Sequence, residues 1–140
     1  MSPFGATILR VILGMIYVAH AYNVFFVVTT DAMAAMINAK LGFPFGDALA
    51  IYLVAAQLIG GIMLILGLWT RWAAFVNIPI MLVAVVLVQL GDGFFPRAVI
   101  VDVARQRADV VGYEYSLLVL CATVAQFFLG GGAVAFTKDT

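Results

Sequence analysis

Four runs of this 140-residue chain carry no charged side chain: Val11 to Thr30, Ala48 to Thr70, Trp72 to Gly91 and Tyr115 to Thr137, of 20, 23, 20 and 23 residues. A helix rises about 1.5 Å per residue, so each run covers the ~30 Å hydrocarbon layer of a bilayer. Lipid offers no partner for backbone N–H and C=O groups, and a segment that satisfies all of its own is a helix. The expected fold class is therefore all-α, an integral membrane antiparallel four-helix bundle. It forms a single transmembrane domain over residues 1–140, with helices over residues 8–30, 48–70, 72–91 and 114–134. Composition agrees, because 66% of the residues are hydrophobic and 10% charged, against roughly 45–50% and 25% in soluble domains. So short a chain has no interior large enough to hide that much apolar surface from water.

Seven Lys and Arg balance seven Asp and Glu. Without a basic field the chain has no means of holding a phosphate backbone, so the partner implied is the lipid bilayer and not nucleic acid. Cys121 is the one cysteine, which excludes an intrachain disulfide; lying in an apolar run, it is expected to be a small buried hydrophobe. Ala19-His20-Ala21 imitates a signal-peptide cleavage site, but no cation precedes Arg10 and three further apolar runs follow, so residues 1–30 are read as mature protein.

The second run is the best-defined span. Ala56, Gly60 and Gly67 line one face with small side chains, against which another helix can pack closely. Trp69, Thr70, Arg71 and Trp72 have the composition of a helix leaving lipid, and only Arg71 separates this run from the next. A tight antiparallel hairpin follows.

Two longer connections remain. Asp31 to Asp47 contains a helical-looking piece, DAMAAMINAK, then the turn Gly42-Phe43-Pro44-Phe45-Gly46. Asp92 to Glu114 opens on Gly93-Phe94-Phe95-Pro96 and carries Arg97, Arg105 and Arg107 among Asp92, Asp102 and Asp109, with Val99, Val101 and Val103 interspersed. This second connection reads as a short strand or as an interfacial amphipathic turn. Four spans put both termini and Arg71 on one side and both connections on the other, where they form a cap over the polar end near Gln89 and Glu114. Arg10, Arg71 and Lys138 all sit at helix ends on the first side, which favours cytoplasmic termini. The tail Lys138-Asp139-Thr140 reads as frayed.

Polar side chains inside hydrocarbon are costly and face a partner helix or a cavity, so the short list His20, Asn23, Gln57, Asn77, Gln89, Thr123 and Gln126 is informative. His20, Gln57 and Gln126 each fall near the middle of an uncharged run and are expected at similar depth. Tyr17, His20 and Asn23 share a face by their three-residue spacing, as do Ser116, Thr123 and Gln126. Two readings stand side by side for these groups: hydrogen bonds that join helices, at about 0.6–2 kcal/mol each, or the polar lining of a ligand pocket. Arg10, Arg71 and Glu114 read as interfacial anchors; for Arg10, slightly inside the first helix, the alternative is a buried pair with a carbonyl cluster or with an acid of another subunit.

In their order and spacing, several segments resemble the DoxX family of small four-helix membrane proteins, which includes the DoxD-type subunit of thiosulfate:quinone oxidoreductase. They are Leu9-Arg10-Val11-Ile12-Leu13-Gly14 leading to His20, and Gln57-Leu58-Ile59-Gly60-Gly61 leading to Gly67-Leu68-Trp69-Thr70-Arg71. Asp92-Gly93-Phe94-Phe95 and Gly112-Tyr113-Glu114-Tyr115 complete the set, so the resemblance covers almost the whole chain. The chain departs from the family's usual pattern at Val24, Gln57 and Ser116, where a Lys, an acid and a Pro are common. What the resemblance implies is a multi-pass protein of a bacterial or archaeal cytoplasmic membrane, an accessory subunit of a quinone-linked oxidoreductase system. Such a subunit binds quinone or anchors soluble oxidoreductase subunits, alone or as a homo-oligomer.

On that reading His20 and Gln57 hydrogen-bond a quinone carbonyl, aromatic side chains such as Tyr17, Tyr22 and Phe25 pack on the ring, and Asn23 and Gln126 complete the cofactor-binding set. Other chemistry lacks its parts. One His and one Cys do not fill a zinc sphere, one His does not supply both axial ligands of a bis-His haem, and Ser116 and Cys121 have no second His as base. No catalytic or metal-ligating residue is therefore expected. The alternative functions are a purely structural or assembly subunit with no small ligand, and a small transporter built around Pro79 and Asn77.

Overall fold

The computed structural model describes residues 3–42, 44–102 and 107–137; Phe43, Val103, Arg105 and the Lys138-Asp139-Thr140 tail lie outside the described residues. α1 runs Pro3–Tyr22 and continues as a π-helical stretch, Asn23–Val28. α2 covers Thr30–Leu41, α3 Gly46–Leu66 and α4 Thr70–Val83, the last extended by a second π-helical stretch, Ala84–Gln89, and the 3₁₀ turn Leu90–Asp92. Strands β1 (Arg97–Asp102) and β2 (Arg107–Val111) lead to α5, Glu114–Leu129.

Three of these helical stretches are long and apolar enough to cross a membrane: Pro3–Val28, Gly46–Leu66 and Thr70–Asp92. α5 is apolar but has 16 residues, or about 24 Å of helix. Its uncharged run suggested a helix to residue 134; the helix ends at Leu129 because three glycines follow, with Gly130 (φ 71°) and Gly132 (φ 76°) in conformations that side chains disfavour. The chain then returns as an arm, residues 130–137.

The other boundaries also move for local reasons. Proline suits the first turn of a helix, where its missing N–H costs nothing, and α1 begins at Pro3, so Arg10 lies two turns inside the helix. The α3–α4 turn falls at Gly67 to Trp69 and not at Arg71. Gly67 takes φ 73°, and the N–H groups of Gly67 and Leu68 both reach the Met63 carbonyl, at 2.8 and 2.9 Å. That pattern closes a helix by satisfying its last carbonyls. Gly67 thus caps α3 and does not continue its small-residue face.

α1 packs on α3 and α5, and α4 packs on α3 and α5. The α1–α3 contact is set by two glycines: a Cβ on Gly14 would lie 2.6 Å from the Gly61 carbonyl, and one on Gly61 would lie 2.9 Å from the Gly14 carbonyl. Neighbouring Gly60 faces α4, where its missing side chain leaves room for the Asn77 amide. Asn77 donates from Nδ2 to the Ala73 carbonyl of its own helix at 2.9 Å and to Ala56 of α3 at 3.5 Å. Ala56 and Gly60 therefore do form a close-packing face, toward α4, while Gly61 serves α1. Leu13, Tyr17, Leu64, Ala73, Met81 and Val119 form the core between these helices. Side chains such as Ile8, Phe26, Ile59, Trp72 and Phe128 cover the outside, as lipid-facing groups do.

α2 lies on α3, closing Ala34 and Ile37 over Ala50. Thr29, at φ 72°, turns the chain sharply out of the first π-helical stretch, and its Oγ1 accepts from the Ala32 N–H at 3.3 Å. At its other end Gly42 takes the left-handed cap, and Asn38 Oδ1 accepts the Gly46 N–H that opens α3, at 2.7 Å. Between α4 and α5 the connection is a hairpin, β1 antiparallel to β2 with Arg97 opposite Val111 and an irregularity between Ile100 and Asp102. Asp92, at the start of this connection, pairs with Lys40 of α2, at 3.6 Å. α2 and the hairpin share one end of the helices; the N-terminus, the α3–α4 turn and the arm share the other.

Candidate functional site

A cavity of about 600 Å³ opens among the helices at the α2 end, with walls from α1, α2, α3, α5 and the second half of α4. Its position follows from breaks in regular helix. Pro79 has no N–H to donate to residue 75, and five residues later the π-helical stretch Ala84–Gln89 begins. Pro79, Met81, Ala84 and Gln89 all face the cavity. A wider turn displaces the helix from the close contact that Gly60 and Asn77 impose nearer the other end. α2 supplies Met33, Met36 and Ile37, flexible or branched apolar groups that close the cavity's flank.

Three of the five residues singled out from the sequence come together here. Tyr17 and Gln57 are 1% and 2% exposed and line the wall. His20 lines it too, as an exposed side chain at the margin. The register that sets Gly14 against Gly61 brings Gln57, one turn earlier in antiparallel α3, to the level of Val18, within a turn of both Tyr17 and His20. No hydrogen bond joins the two among the described residues, and the Gln57 Oε1 is buried with no partner there. The Tyr17 hydroxyl meets Thr123 Oγ1 at 2.5 Å, and Thr123 in turn donates to the Val119 carbonyl at 2.7 Å.

Asn23 and Gln126 lie elsewhere. Asn23 is exposed and off the cavity wall: two steps of three residues carry a side chain roughly 120° around a helix, and the first π-helical stretch begins at this residue. Gln126 is fully buried but one turn from the end of α5, donating from Nε2 to the Gly130 carbonyl at 2.6 Å. The expectation of equal depth for His20, Gln57 and Gln126 rested on a helix running past residue 130, and the glycines remove it. Tyr22 and Phe25, expected on a ligand ring, are exposed and not on the wall, and Phe26 packs against both. Cys121, expected to be buried, is exposed on the outer face of α5.

Sequence reasoning placed the 31–47 connection as a cap over the polar end of the bundle, at the entry to a cavity, without singling out Met33, Met36 and Ile37 as part of the wall. It read Gln89 and Ser116 as polar span residues, and both reach the cavity. Arg10 proves to be 2% exposed, donating from Nη2 to the Val134 carbonyl, so the carbonyl alternative holds and not the interfacial anchor. Its guanidinium fills the space that a Gly67 side chain would need. The arm is tied at further points: the Ala133 N–H to the Pro3 carbonyl at 3.0 Å, the Thr137 N–H to the Gly67 carbonyl at 3.1 Å and the Trp69 N–H to Thr137 Oγ1 at 2.8 Å.

No curated protein and no solved structure matches the chain. The sequence model of the DoxX family matches residues 5–90, which takes in α1 to α4 and every cavity wall except α5. With more than half of its length matched, and with apolar helices long enough to cross a bilayer, the chain is a multi-pass membrane protein and belongs to the DoxX family.

Proposed function

We propose that this protein is an accessory membrane subunit of a quinone-linked redox system, a single transmembrane domain in which α1, α3, α4 and α5 form a four-helix bundle around a site for an apolar ring. The cavity carries this reading. Its volume of about 600 Å³ lies within the ~300–1,000 Å³ usual for small-molecule sites, and its walls are apolar with a few polar groups converging from different helices. Tyr17, His20 and Gln57 are the binding groups within it, while Asn23 is exposed off its wall and Gln126 bonds the Gly130 carbonyl. The same subunit can serve to anchor soluble oxidoreductase partners through the α2 and hairpin end. The membrane is a bacterial or archaeal cytoplasmic membrane, with the termini on the cytoplasmic side because Arg10 and Arg71 lie at that end.

Purification in mild detergent without crosslinking, followed by lipid extraction and optical spectra, tests the reading directly. Co-purified quinone or a flavoprotein partner supports it. A lipid-only preparation that also shows no thermal shift with a short-chain quinone supports a purely structural subunit instead, a role consistent with the close backbone contact at Gly14 and Gly61. Sidedness is read separately, after Cys121 is replaced because it is exposed: a cysteine placed at Arg105 should label in intact cells with an impermeant reagent, and one placed at Thr140 should not.

A further inference from the structure

We infer that the cavity is built for a hydroxyl-bearing apolar molecule, a phenol or hydroquinone type of ligand, in preference to one that presents only carbonyl or ether oxygens. This rests on the reading of the cavity as a ligand site and specifies what enters it. Three oxygens of residues that line the cavity have acceptance as their spare capacity. Thr123 gives its proton to the Val119 carbonyl at 2.7 Å, so the 2.5 Å contact with Tyr17 is made with the Tyr17 proton, and the phenol oxygen is left to accept. Gln57 Oε1 and Gln89 Oε1 are buried and meet no donor among the described residues, and both residues line the cavity. A buried acceptor left unpaired is costly, and a donor brought by a ligand recovers that cost.

His20 sits on the same wall and, as a neutral imidazole, offers one donor and one acceptor. A hydroxyl satisfies both kinds of group at once, donating to an amide oxygen while accepting from the imidazole. A carbonyl oxygen only accepts, and leaves Gln57 and Gln89 as they are. The expected pairing of Gln57 with a quinone carbonyl is therefore reversed in polarity: the amide oxygen receives a proton donor from the ligand. The rest of the wall, including Ile16, Met33, Ile80 and Val119, is apolar and asks for a hydrocarbon body.

Two probes of nearly equal shape separate donor from body. Full-length protein in detergent is titrated with 4-nonylphenol and with 4-nonylanisole, its methyl ether, and binding is read by thermal shift and calorimetry. The phenol should bind about three- to tenfold more tightly, the range a net hydrogen bond contributes. In Gln57→Met and in Tyr17→Phe the phenol-to-anisole ratio should fall toward one; the ratio is read within each variant, and if one fails to fold the other carries the test. Equal binding of the two probes to the unaltered protein, or tighter binding of the anisole, overturns the hydroxyl inference and leaves the cavity as a site. If the ratio stays unchanged in both variants and in Gln89→Met, the donor is received elsewhere and the assignment to this wall falls. Failure of both probes and of a short-chain quinone to bind overturns the ligand-site reading itself.

Discussion

The two ends of the helices are built on opposite terms. At the end that holds both termini, backbones touch through Gly14 and Gly61, Asn77 fills the space beside Gly60, and the 130–137 arm crosses over with Arg10, Thr7 and Thr137 tying it down. At the α2 end the helices pass into π-helical turns, side chains are Met, Ile and Val, and the amide oxygens of Gln57 and Gln89 meet no donor among the described residues. One end is closed by direct backbone and side-chain contact, although Thr70 Oγ1, Asn77 Oδ1 and Gln126 Oε1 are buried there without a partner among the described residues. The other leaves a cavity and unmet acceptors. Close packing is therefore concentrated at the first end and open volume at the second.

Substitutions that separate the two ends test this division. The largest effect is expected for Gly61→Leu. Its Cβ alone would press on the Gly14 carbonyl at 2.9 Å and on Tyr17 Cβ at 3.1 Å, so overpacking should cost about 3 kcal/mol or prevent folding. Gly60→Leu, which must displace the Asn77 amide, should also destabilise. Melting in detergent measures both, and an unchanged midpoint would refute close contact at this end.

Next comes Arg10→Met. It removes a buried donor to Val134 and should cost about 1.5–3 kcal/mol, the range for a hydrogen bond to a charged group. The sharper readout is limited proteolysis: the arm should be cut in the variant and protected in the parent, while probe binding in the cavity persists. Loss of binding together with the arm would show that the two ends are coupled.

Ala84→Leu should reverse the pattern. Ala84 lines the cavity from the second π-helical stretch, and a larger side chain there occupies ligand space. Melting should shift by no more than about 1 kcal/mol, since an apolar group enters an apolar hollow, while ligand-induced stabilisation should vanish.

The smallest effect is expected for Lys40→Ala. This cation donates to the Val88 carbonyl at 3.0 Å and pairs with Asp92 at 3.6 Å, both at partly exposed positions. About 0.5 kcal/mol or less is expected, screened by salt. A much larger loss would mean that α2 holds the cavity shut through this one residue.

Much of the site's placement was legible before the fold. The burial of Gln57, Asn77, Thr123 and Gln126 follows from the cost of polar groups in lipid, which any arrangement of spans must respect. His20 and Gln57 on one wall follow from two antiparallel helices and similar depth. Asn23 and Gln126 were misplaced because counting residues within an uncharged run assumes a regular helix filling the run, and neither the first nor the last run is filled that way. An absence of charge marks where lipid or protein surrounds the chain; it does not mark where helix ends.

By itself the sequence determined that the chain is helical and crosses a membrane more than once, since uncharged runs of that length have few other ways to pair their backbone groups. It also determined which polar residues must find partners. Only the tertiary structure decided that Gly61 and not Gly67 is where α1 and α3 meet, that residues 130–137 return to cover Arg10, and that two π-helical turns and α2 open a cavity at one end. These depend on which faces come together across tens of residues. A local pattern states each residue's demand, and the packing of distant segments decides what meets it.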